Sequence, residues 1–143
     1  MNYTHTWQIG IPPDAATVRT EVFVVEQGFP AEIELDELDK TALHVVLYEK
    51  SAPIATGRIL QLSETEFRLG RVAVLRNRRK FGIGAQIMQL MEQRAQELGA
   101  KKILLSAQLR TKEFYEKCGY IAASNGENYL DHHVEHIDME KFI

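Results

Sequence analysis

The chain reads as an α+β protein: a mixed, mostly antiparallel sheet of about six or seven strands, built on a βαβ core and flanked by helices. Three observations carry that expectation. Two β-rich runs, 43–49 and 53–62, are separated only by the short polar turn at 50–52, as in a hairpin. From 69 to 108 an apolar strand, a glycine-containing turn, a long amphipathic helix and a second strand succeed one another, the order of a right-handed crossover between parallel strands. A short helix then leads into two closing runs, 120–124 and 133–142.

Each element follows from local chemistry. TWQIG, at 6–10, is a short strand. Pro12, Pro13 and Asp14 then form a proline-led helix entry, with Val18, Val22, Phe23 and Val25 on a mostly apolar helix that ends near Gly28. Residues 27–41 lack a clear period and carry Glu32, Glu34, Asp36, Glu37 and Asp39, so they read as an acidic loop. After the hairpin, 67–75 alternates as a strand. The helix that follows places Ile83, Ile87, Leu90, Met91 and Leu98 on one face, and Gly99 stands where a helix stop belongs. Its methionines read as core. Residues 101–109 form the next strand and 112–118 a short helix.

With 143 residues and 45% hydrophobic content, the chain is expected to form one domain, 1–143, around one core. The net charge of −3 argues against a broad basic face for nucleic acid. No apolar run approaches the roughly 18 residues of a membrane span, and the opening residues lack the pattern of an export signal; a cytoplasmic protein with neither nucleic acid nor membrane as partner is expected. Cys118 is the only cysteine, so no internal disulfide forms. At the end of a helix its thiolate is disfavoured, and it reads as structural filler.

The most informative segment is 72–88, VAVLRNRRKFGIGAQIM. Glycine lets backbone amides approach a ligand closely, and a helix start carries unpaired N–H groups and the positive end of the dipole. Arg76, Arg78, Arg79 and Lys80 add cations beside Gly82 and Gly84, so a polyphosphate suits this turn better than a lone carboxylate. The plainer alternative, a strand-to-helix turn that needs small residues, stays open. The spacing fits neither a Walker loop, which needs a Lys-Ser or Lys-Thr pair after the last glycine, nor a dinucleotide fingerprint, which needs a third glycine.

Arg79, Gly82 and Gly84 instead resemble the acyl-CoA signature of the GNAT acetyltransferase superfamily. Residues 107–124, with Phe114, Tyr115, Lys117, Gly119 and Tyr120, resemble its helix and last strands. Residues 18–39 and 132–139 resemble the ElaA-like branch, so the likeness spans nearly the whole chain. It implies the GNAT fold and an acetyl-CoA-dependent N-acetyltransferase, with direct attack of an amine in a ternary complex and no covalent acyl-enzyme. Val72, Ala73 and Val74 would pair their backbone with the pantetheine arm. Amides of Arg79, Lys80, Phe81, Gly82, Ile83, Gly84 and Ala85 would hold the pyrophosphate, and Phe114 and Lys117 belong to the same motif. Dimers are common among relatives, so a homodimer is compatible with the resemblance.

Tyr115 matches the general acid of the family. A tyrosine near pKa 10 lies within about two units of a thiol near 8.5, so its hydrogen bond can tighten as a thiolate forms. Two departures stand out. Gln108, whose longer side chain can still reach the pantetheine as a cofactor-binding residue, replaces the asparagine that many relatives carry seven positions before the tyrosine, and Arg68 occupies the strand position where some relatives have a glutamate base. Glu26, Glu32, Glu34, His44 and His136 all remain open as the base. The acidic 32–39 loop either attracts a cationic amine or is simply solvated. For Arg19 the plainer reading is a buried pairing with an acidic loop residue. His132, His133 and His136 form no zinc-like spacing, strand alternation would put the first two on opposite faces, and no metal is expected.

Three functions compete: the enzyme, an acyl-CoA-binding or sensing module with weak chemistry, and a nucleotide or nucleic-acid phosphate binder using the 76–80 run. The acceptor, small molecule or peptide, is not readable from one sequence.

Overall fold

The computed structural model describes residues 2–123 and 126–143. Among them, eight strands form one mixed sheet: β1 (Tyr3–Ile9), β2 (Leu43–Glu49), β3 (Ala52–Gln61), β4 (Glu66–Val74), β5 (Lys102–Gln108), β6 (Ile121–Ala122), β7 (Tyr129–Asp131) and β8 (Val134–Phe142). The order is β1-β2-β3-β4-β5-β8-β6, with β7 paired to β8. Every pairing is antiparallel except β4 with β5. Among the described residues the α-helices are α1 (Pro13–Arg19), α2 (Ala31–Glu34), α3 (Ile83–Glu97) and α4 (Lys112–Lys117).

The core forms where α3 meets the sheet. Ile83, Ile87, Met88, Met91 and Ala95 are buried along one stripe of this helix, the i, i+4 pattern of an amphipathic face. At Gly57 of β3 an added Cβ would stand 2.7 Å from Met91 Sδ, so a side chain there would push the Met91 thioether aside where the helix packs closely on the strand. Val18 and Val22 bury a smaller cluster with Ala73. Pro13 opens α1, whose turns widen into a π-helix over Thr20–Glu26, with Gln27 N–H donating to Val22 O and Phe29 N–H to Phe23 O.

Four expectations need correction. The 27–41 segment is not a plain loop: it holds α2 and a 3₁₀ turn at Glu37–Lys40. Asp36 and Asp39 close that turn reciprocally, with Asp36 N–H donating to Asp39 Oδ2 at 2.9 Å, a capping box that a scan for hydrophobic period misses. The sheet has eight strands because β7 turns back on β8. His132, at φ +57°, and His133 lie in that turn, so strand alternation does not apply to them. β6 covers only Ile121–Ala122 of the expected 120–124 run, and Ser124 lies outside the described residues.

Arg19 is fully buried, and the paired reading of it holds. Its Nε donates to Glu34 Oε1 at 2.8 Å and its Nη1 to Asp39 Oδ1 at 2.6 Å. Arg58 clasps Asp36 and Asp39, and Arg71 reaches Asp36 Oδ2 at 3.2 Å. Three arginines thus face three carboxylates and pin the acidic segment to the sheet. Burial works against the charge of Asp39, but Arg19, the Asp36 amide and Arg58 outweigh it and lower its pKa to about 2. A buried charge persists only when it is paired in this way.

Candidate active site

The cleft begins where β4 and β5 part. Their parallel ladder covers Glu66, Phe67 and Arg68 against Lys102, Ile103 and Leu104, and stops there. Residues 69–74 are therefore paired to β3 alone, which leaves backbone groups along the other edge of β4 without a strand partner. Between Thr56 and Arg58 of β3 the partner strand advances from Ala73 to Gly70, one residue too many, and Arg71 absorbs the excess at φ +50°. Such a bulge bends the strand and re-aims its side chains.

The space between the strands is a cavity of about 650 Å³, the size of a ligand cleft. Its floor is Val72, Ala73 and Val74, its basic end Arg79 and Lys80, and its helix end Gly82 to Ala85. Gln108, Phe114 and Tyr115 close the side formed by β5 and α4. Twelve of the fourteen expected site residues thus meet in one cleft. Phe81, 58% exposed, and Lys117, an exposed residue at the end of α4, are not among its lining.

The two glycines differ. Gly82, at φ +75°, is the residue preceding α3, and an added Cβ there would meet nothing within 4 Å. Open space beside helix amides suits an anion. Gly84 is different: an added Cβ would stand 3.2 Å from Phe114 Cζ, so its smallness serves the packing of α4 on α3. The cations differ too. Arg78 is paired with Glu49 at 2.8 Å, and Arg79 with Glu26, while the side chains of Arg76 and Lys80 are exposed.

Tyr115 makes edge contacts with Phe114 and Tyr120, and its hydroxyl has no hydrogen-bond partner among the described residues. Burial, with a smaller contribution from Cys118, pushes its pKa up to about 12. The hydroxyl therefore stays protonated at neutral pH. Gln108 lines the cleft, but its Nε2 donates to Gln27 Oε1 at 2.7 Å and its Oε1 accepts from Arg110. Burial raises the Cys118 thiol as well, in keeping with filler.

The five candidate bases fall apart spatially. Glu26 is held by Arg79, whose hydrogen bonds keep its carboxyl below the usual range. Glu32 is exposed and outside the cleft lining. Glu34 reaches the cleft, with Oε1 held by Arg19 and near Arg71, and Oε2 buried. His44 is buried outside that lining, with Nε2 at Asp39 O, and burial pushes its pKa down. His136, only 6% exposed, lines the cleft beside Asp131. Phe29, Arg71 and Asp131 are lining residues that sequence reasoning missed; Arg71 and Asp131 carried no sequence signal, because a bulge and a hairpin bring them there.

No group of three or more histidine, cysteine, aspartate or glutamate side chains suited to a metal occurs among the described residues, and no described helix is long and apolar enough to cross a membrane.

This parted sheet, flanked by helices and opening on an amide-lined turn, defines an acyltransferase scaffold. The chain belongs to the GNAT acetyltransferase family: a family model described as an acetyltransferase (GNAT) domain matches residues 11–143. It is 40% identical over 128 residues to an uncharacterized N-acetyltransferase, YjcF, of Bacillus subtilis (strain 168), with 90% of each chain covered. Its fold is similar to that of an acyl-CoA N-acyltransferase from Pseudomonas aeruginosa, at TM-score 0.86 and 29% identity over 98% of this chain and 99% of that one. It is also similar to Escherichia coli ElaA, at TM-score 0.82 and 26% identity over 96% and 99%. The protein is thus an enzyme of the N-acetyltransferase class, and its family chemistry is acyl transfer.

Proposed function

We propose that the protein moves an acetyl group from acetyl-CoA to a primary amine by direct attack in a ternary complex. The observation that carries this reading is the unpaired edge of β4 at 69–74, which runs straight into the open Gly82 turn. An extended thioester arm adds to such an edge as a strand would, through Val72, Ala73 and Val74, and its diphosphate meets the amides between Arg79 and Ala85 at the start of α3. When bound, the carrier supplies the activated acetyl group; the chain's own groups orient it and steady the charge that develops.

Tyr115 is the donor for the departing sulfur. With its pKa near 12, full proton transfer to a thiolate of ordinary basicity is uphill by roughly three pH units. Its contribution is therefore a hydrogen bond that strengthens as negative charge collects on sulfur. The name of the Pseudomonas relative, an acyl-CoA N-acyltransferase, supports the same donor class.

The test is calorimetry with acetyl-CoA followed by thioester cleavage with and without added amines. Binding plus amine-dependent cleavage is expected. Binding without cleavage would favour an acyl-CoA-sensing module, and no binding at millimolar acetyl-CoA would overturn the reading.

A further inference from the structure

We propose that His136 is the proton acceptor for the attacking amine; this rests on the acetyl-transfer reading above. The ring sits on β8, buried to 6% exposure yet lining the cleft. Its Nδ1 lies 2.9 Å from Val134 O. A carbonyl oxygen can only accept, so Nδ1 carries the hydrogen and the neutral ring keeps its lone pair on Nε2. Nε2 has no partner among the described residues, and it is not among the buried polar atoms left without one, so it is open to the cleft.

The ring is also held in place. Tyr129 of β7 stacks on it at 5.9 Å between centroids with planes 25° apart. Tyr129 is itself anchored, its hydroxyl donating to Asp138 Oδ1 at 2.7 Å and bonding Ser106. A base whose tautomer and orientation are fixed by a second group is the arrangement proton transfer requires. The charged groups around it are Asp131 of β7, Asp138 of β8, Arg110 after β5, and Glu34 and Arg71 across the cleft.

Of the rival carboxylates, Glu26 has both oxygens on Arg79, and Glu34 has Oε1 on Arg19 while its Oε2, without a hydrogen-bond partner, is buried out of reach of the cleft. His44 lies outside the cleft lining, with Nε2 at a backbone carbonyl.

The step balances without any further reactant. The nitrogen lone pair forms the N–C bond to the thioester carbonyl carbon, and the C–S bond breaks with its electron pair leaving on sulfur. The proton shed by nitrogen goes to His136 Nε2, and the thiolate, steadied by the hydrogen bond from the Tyr115 hydroxyl, takes its proton from water. His136 then releases its proton to water.

The experiment compares wild type with His136→Asn, whose side-chain amide can still donate to Val134 O. Acetyl-CoA binding is read by calorimetry. Thioester cleavage is followed at one fixed pH with benzylamine, phenethylamine and glycinamide, and with water alone as the background rate. The variant is expected to bind acetyl-CoA as wild type does and to lose about a hundredfold in turnover with each amine. Equal rates would overturn the assignment to His136 while leaving the acetyl-transfer reading intact. Failure of wild type to bind acetyl-CoA would remove both. A nitrogen-15 spectrum of wild type provides a readout independent of any variant's folding: hydrogen on Nδ1 is expected, and hydrogen on Nε2 would overturn the proposal.

Discussion

Arg79 grips Glu26 through both terminal nitrogens, at 2.5 and 2.7 Å, while its Nε donates to Val74 O at 3.0 Å. One side chain thus ties the end of β4, the π-helix over Thr20–Glu26 and the turn before α3. Arg79→Ala is expected to lower acetyl-CoA affinity at least tenfold, about 1.4 kcal/mol. The ion pair lies near the surface, so its loss should cost less than about 1 kcal/mol of stability. Calorimetry and urea unfolding separate the two; unchanged affinity would show that the turn needs no tether.

Gly82 combines a positive φ with open space where a Cβ would go. Asparagine tolerates this backbone region better than other non-glycine residues. Gly82→Asn should therefore fold, at a cost on the order of 1 kcal/mol, while its side chain occupies the space beside the helix amides. At least a tenfold loss of acetyl-CoA affinity is expected, and wild-type binding would argue that the diphosphate sits elsewhere.

Removing the hydroxyl of Tyr115 breaks no hydrogen bond within the described protein, so Tyr115→Phe should melt within a few degrees of wild type. Turnover should fall by about a hundredfold with KM for acetyl-CoA nearly unchanged. If KM rose and kcat did not move, the hydroxyl would be a binding group and not the donor to sulfur.

Acid stability follows from Asp39. Its pKa is near 2 in the fold against about 3.9 in an unfolded chain, so the folded state binds its proton less readily. That stabilisation is complete above about pH 4 and is lost as pH falls toward 2. The difference is worth roughly 2 kcal/mol. Chemical unfolding from pH 5 to 2.5 should show this loss, and Asp39→Asn should flatten it; an equally steep decline in the variant would place the acid sensitivity elsewhere.

Arg19→Ala would leave Glu34 and Asp39 buried beside one another's remaining partners, a cost of about 3–5 kcal/mol. Arg19→Met with Glu34→Gln and Asp39→Asn should recover much of it, since charge rather than shape is then removed. Equal destabilisation in the single and triple variants would mean that packing dominates.

Elements with a strong period were legible without coordinates: the β2–β3 hairpin, β4, α3 and β5, and the turn between β4 and α3. So was the burial of Arg19 against acidic partners. The 27–41 segment was not, because its order comes from ion pairs with Arg58 and Arg71 on distant strands, and such pairing leaves no hydrophobic rhythm. β7 was missed because Tyr129–Asp131 is too short for alternation to register. The π-helix escaped as well, and Val25, expected on the apolar helix, is 66% exposed.

The amino-acid order alone determined the fold class, the family likeness and the strand–glycine–helix turn at 72–88, since each rests on motifs of residues near one another in the chain. Only the tertiary structure decided which histidine faces the cleft, which arginines are already spent on carboxylates, and that Gly84 serves packing while Gly82 leaves space. Those properties belong to pairs of residues brought together by strand pairing and helix docking, and a linear pattern carries no term for distances across the sheet.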